Sequence, residues 1–89
     1  MQADQSVQVT VYFAEDRRSE KQSIEKKVLL ASLQKLVDGY IEPLSIGDGK
    51  IAIVNEDGLP LGMPRNMTHG IAQYGFVGNV VVMNAADFE

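Results

Sequence analysis

Residues 28–40 read VLLASLQKLVDGY, and this stretch decides the fold. Leu29, Leu33, Leu36, Val37 and Tyr40 fall at i, i+4, i+7, i+8 and i+11, so they line one side of a helix over about 28–38. Ala31, Gln34, Lys35 and Asp38 take the other side, and Gly39 is placed to supply the left-handed residue that ends many helices. One amphipathic helix needs an apolar surface to cover. The remainder of the chain offers strands for that purpose.

Working outward, Ser6–Phe13 alternates Val7, Val9, Val11 and Phe13 with Gln8, Thr10 and Tyr12, the period of a strand with one buried face. Residues 40–46 and 50–55 flank Gly47-Asp48-Gly49 and read as a β-hairpin. Pro43 has no N–H for a ladder, which places it at a bulge or on an outward-facing edge. Residues 77–83 are apolar apart from Gly78 and Asn79 and read as an interior strand buried on both faces. Between these, 59–66 reads LPLGMPRN, where two prolines exclude both helix and central strand and leave a stiff irregular loop. Residues 68–75 have room for one helical turn. The charge-dense stretch 15–27 admits two readings. Ser19 with Gln22 matches a capping box that would start a long helix, whereas a turn over 14–19 would make 21–25 a solvated edge strand. The pair Arg17-Arg18 is either a phosphate site or, the preferred reading, a solvated hairpin tip.

The expectation is one α+β domain over 1–89, with 1–5 and 85–89 as flexible ends. Its sheet has four or five strands, mixed or antiparallel, with one main helix on one face. Leu29, Leu33, Leu36, Ile51, Ile53, Val80 and Val82 are expected in one core. A chain of 89 residues buries only about 60–65% of its unfolded surface, so that core is thin.

Charge narrows the partners. Net charge is −4; through Lys35 there are six bases against five acids, and beyond it only Lys50 and Arg65 against seven acids. An acidic second half without a basic, aromatic-studded stripe argues against general nucleic-acid binding. The chain has no cysteine, which excludes disulfides and thiolate metal sites, and it has no apolar run near the roughly 18 residues of a membrane span. Its polar, acid-bearing first residues do not read as a signal peptide, so the cytoplasm is the expected location and no membrane is expected as a partner.

Residues 33–42 (LQKLVDGYIE), 55–58 (NEDG) and 61–66 (LGMPRN) come in an order that resembles the family known as domain of unknown function 3846, small proteins of phages, prophages and plasmids. The likeness spans 28–83. Asp38 stands where that family often has a second glycine. The resemblance implies a strand over 21–25 and an accessory role against or alongside host machinery, and it carries no catalytic residues with it.

Catalytic chemistry is hard to assemble from what remains. His69 is the single histidine and lacks a ligand partner at metal-site spacing. No nucleophile elbow or phosphate-binding glycine pattern occurs. No metal, cofactor or enzymatic activity is therefore expected. The candidate site is the loop with Asn55, Glu56, Asp57, Pro64, Arg65 and Asn66, and with His69 nearby. Arg65 could fork onto a phosphate or carboxylate, and the Asn66 amide could read a ligand edge. Equally, both asparagines could cap turns while Arg65 pairs with Glu56 or Asp57, and turn chemistry alone accounts for these residue types. The function expected first is a non-catalytic binding protein that pairs with itself as a homodimer and with a host protein. The alternatives are a binder of a nucleotide-like small ligand at 55–66, and an enzyme of unrecognised type.

Overall fold

The structure is a computed structural model that describes residues 5–88. Strands β1 (Ser6–Phe13) and β2 (Arg18–Glu25) form a hairpin, and a 3-10 turn (Lys26–Val28) leads into helix α1 (Leu29–Val37). A second hairpin, β3 (Ile41–Gly47) and β4 (Lys50–Asn55), precedes a long loop holding a 3-10 turn at Ala72–Tyr74. Strand β5 (Val80–Asn84) and a helical turn α2 (Ala85–Phe88) follow. The sheet order is β2-β1-β5-β4-β3, with every neighbouring pair antiparallel. The fold is thus α+β, with a five-stranded antiparallel sheet and one main helix.

β5 lies at the centre, and its uninterrupted apolar run follows from having both faces covered. Val81 and Met83 face α1 and join Val7, Val9, Val11, Leu29, Leu33, Val37 and Ile53. Val80 pairs instead with Ala52, Val54 and Ile71 on the opposite face, with Val82 packed beside them. The single core expected from sequence is therefore two. Leu29, Leu33, Leu36, Ile51 and Ile53 belong to the helix side, and Val80 and Val82 to the other. Adjacent residues on a strand point to opposite faces, so a strand with no polar residues carries no mark of which face is which.

The helix ends differently from expectation. Asp38, not Gly39, takes the left-handed conformation (φ 64°, ψ 43°), and the Gly39 N–H donates to the Gln34 carbonyl at 3.0 Å. Aspartate tolerates this region better than most side chains. Tyr40 leaves the helical stripe and is 70% exposed. At the first hairpin Arg17 turns the chain at φ 56°, and Arg18 is held by Asp16, by Glu20 and by the Phe13 ring 4.4 Å away, as befits a hairpin tip. The helix start suggested at Ser19 gives way to β2, which begins at Arg18 and buries only Ile24. Residues 85–88, expected as a flexible end, form α2, and Phe88 packs on the helix-side core. Of the other expected flexible end, residues 1–4, like Glu89, lie outside the described residues.

No helix among the described residues is long and apolar enough to cross a membrane.

Candidate functional site

Three asparagines hold the long loop against the sheet. Asn55, buried at the end of β4, donates from Nδ2 to the Val37 and Asp38 carbonyls at 3.0 and 3.1 Å, and its Oδ1 accepts from the Asp57 N–H at 2.7 Å. One amide thus closes the helix terminus and sets the turn that follows. The approach is close: a Cβ at Gly39 would sit 2.5 Å from Asn55 Nδ2, and one at Gly58 would sit 2.8 Å from Val77 Cγ2.

Asn66 has no exposed surface. Its Nδ2 donates to the Tyr12 and Gly78 carbonyls at 3.0 and 2.9 Å, and its Oδ1 accepts from the Thr68 N–H at 3.0 Å. Thr68 Oγ1 donates to the Phe13 carbonyl at 3.1 Å. Both amides offered by the sequence are therefore filled by backbone partners. Asn79, which sequence reasoning passed over, does the same work. It accepts from the Ala14 N–H at 3.0 Å and donates to the Leu36 carbonyl at 3.1 Å. Its signal was present as the one amide in an otherwise apolar run.

The remaining candidates are exposed. Glu56, Asp57, Pro64, Arg65 and His69 all face solvent, and Arg65 forms a backbone bridge with Val77. Among the described residues the ion pairs are those of Arg18, so Arg65 does not pair with Glu56 or Asp57. Its guanidinium lies near Gly75, where an added Cβ would be 3.7 Å from Nη2. Among the described residues no group of three metal-ligating side chains occurs and no buried side-chain polar atom lacks a partner.

The 55–60 turn overhangs a cleft of about 200 Å³ on the sheet face opposite α1. Leu44, Val54 and Phe76 give it apolar walls, Leu59 and Pro60 close one side, and Glu42 and Glu56 bring carboxylates to the lining. Asn55 lines it as well, and it and Glu56 are the two of these residues expected at a site from sequence. Leu44 and Phe76 come from distant segments, and only the fold brings them together. Leu59 in the cleft wall is 78% exposed, Leu61 further along the loop is 64% exposed, and Tyr40, whose carbonyl accepts from the Glu56 N–H at 2.8 Å, is similarly open.

One family model matches the chain, over residues 9–89, and is described as a domain of unknown function (DUF3846). No curated protein and no solved structure matches it.

Proposed function

The chain belongs to the DUF3846 family, whose description names no activity, and from that premise we propose a non-catalytic binding protein that docks a basic, apolar segment of a partner protein in the cleft beneath the 55–60 turn. In this reading the partner is a host protein and the protein an accessory of a mobile genetic element, in keeping with the phage, prophage and plasmid setting that the resemblance implies.

The observation that carries this reading is the cleft's size and lining. At about 200 Å³ it is smaller than the roughly 300–1,000 Å³ that small-molecule sites occupy, so it suits one or two side chains better than a nucleotide. Its walls are apolar and its charged lining residues are Glu42 and Glu56, which favours an aliphatic side chain next to a cation. The turn that forms it is held by Asn55, so little ordering is needed on binding. One buried aliphatic side chain contributes about 1.5–3 kcal/mol. Micromolar affinity needs about 8 kcal/mol, so Tyr40, Leu59 and Leu61 have to join the contact. The nucleotide-like alternative is the poorer fit, because the amides that were to read such a ligand already have backbone partners.

The test is an NMR titration of labelled protein with two synthetic peptides at millimolar concentration. One carries lysine beside leucine, and in the other glutamate replaces the lysine. Shifts at Leu44, Val54 and Phe76 are expected with the first peptide alone. No shift with either, or equal shifts with both, overturns the reading.

A further inference from the structure

Among the described residues the sheet has two free edges, and their backbones differ in what they offer. On β3 the Tyr40 carbonyl accepts from Glu56 of the neighbouring strand's end, and Ile41 is paired with Asn55. By strand alternation, residues 41, 43 and 45 then turn their N–H and C=O groups outward. Pro43 has no N–H to present there, so this edge is blunted.

The β2 edge is intact. The Lys26 N–H donates to the Gln5 carbonyl at 2.6 Å, in register with the Ser6–Glu25 pair, so even-numbered residues face β1. Ser19, Lys21, Ser23 and Glu25 therefore turn their backbone groups to the open side, and each has its N–H. Lys21 and Glu25 are exposed on the same sheet face and take no part in the ion pairs among the described residues.

We propose that β2 is the dimer interface, pairing antiparallel with β2 of a second copy about a two-fold axis at Ser23. Charge selects this register. Centring on Ser23 sets Lys21 opposite Glu25 of the second copy, twice by symmetry, and Gln22 opposite Ile24. Centring on Glu20 or Lys21 sets that residue against itself. Centring on Gln22 opposes Arg18 to Lys26, and centring on Ile24 opposes Lys21 to Lys27. Only one of the five registers makes opposite charges meet and keeps like charges apart, and like charges directly opposite are destabilising.

The helix side of the same edge agrees. A groove of about 410 Å³ runs between β2 and α1; Ile24, Leu36 and the 43%-exposed Val28 supply its apolar lining, and Gln22, Glu25 and Lys35 border it with polar groups. The two-fold axis brings the second copy's groove alongside, so these apolar side chains meet their counterparts. A C2 interface is self-complementary in this way by construction. β2 and β3 are opposite edges of the sheet, so the dimer leaves the cleft beneath the 55–60 turn open, and the two proposals stand or fall separately.

Sedimentation equilibrium at about 50 µM, where a micromolar dimer is well populated, is the test. The wild type is expected as a dimer. Lys21→Glu and Glu25→Lys each set like charges face to face twice and are expected to weaken association about tenfold or more. The double reversal restores opposite pairs and returns the affinity to within about threefold of wild type, a recovery that independent surface effects would not produce. A monomeric wild type, single reversals that leave the dimer intact, or a double reversal that stays monomeric would each overturn the proposal.

Discussion

Replacing Asn66 by alanine separates a structural amide from a ligand-reading one. The substitution removes three hydrogen bonds at a site with no exposed surface, leaving the Tyr12 and Gly78 carbonyls and the Thr68 N–H without that partner. A buried polar group left unmatched costs about 1–3 kcal/mol. Carbonyls have a second lone pair and water can enter the vacated volume, so the sum falls toward the lower part of the additive range, about 3–5 kcal/mol. Against roughly 4–13 kcal/mol for a domain of this length, that is a large fraction of total stability. Urea unfolding reads it directly as a lowered midpoint at unchanged slope. Arg65→Ala, exposed and outside the described ion pairs, is the control from the same loop and should change stability by about 1 kcal/mol or less. An Asn66→Ala midpoint as close to wild type as that of Arg65→Ala would refute the reasoning and return Asn66 to the list of binding residues.

Two further expectations concern the helix side and the first hairpin. Leu33 has no exposed surface at the middle of α1, and Leu33→Ala should lose about 2–5 kcal/mol, with an unchanged melting temperature showing that the buried face has been misassigned. The Glu20 carboxyl is held below the ordinary glutamate range by the hydrogen bond from Gln22 first and by Arg18 second. A depressed carboxylate pKa adds stability that is present above the unfolded value and fades as pH falls through the folded one. Because the Glu20 side chain is 42% exposed, the measurement is its NMR titration: Gln22→Ala should move the midpoint up toward the ordinary value, and an unmoved midpoint would remove Gln22 as the cause.

The parts of this fold that were legible in sequence are those where burial is one-sided. β1 shows it as Val7, Val9 and Val11 alternating with polar residues, and α1 as Leu29, Leu33 and Val37 on one face. Where burial is two-sided or absent the pattern falls silent. β5 is apolar at successive positions, so nothing in Val80–Met83 distinguished the two cores. β2 is an edge that buries only Ile24, and its polar residues fitted a helix cap as well as a strand. At the candidate site, turn chemistry correctly marked 55–66 as an ordered loop. The amides' partners were invisible because Tyr12 lies 54 residues from Asn66 and Val37 18 from Asn55. The cleft was hidden for the same reason, since the facing of Leu44 depends on a β3 register that shifts between Ser45 and Gly47.

The position of β5 bears on how the chain is made. It joins β1 on one side and β4 on the other, yet it is translated after both. Until residues 80–84 emerge, the nascent chain holds two hairpins and a helix with no strand to unite them, and isolated hairpins are at best marginally stable in water. Folding on the ribosome therefore cannot proceed hairpin by hairpin. The last strand unites the two hairpins, and its contacts with β1 span some seventy residues, a separation whose closure slows folding relative to the hairpins alone.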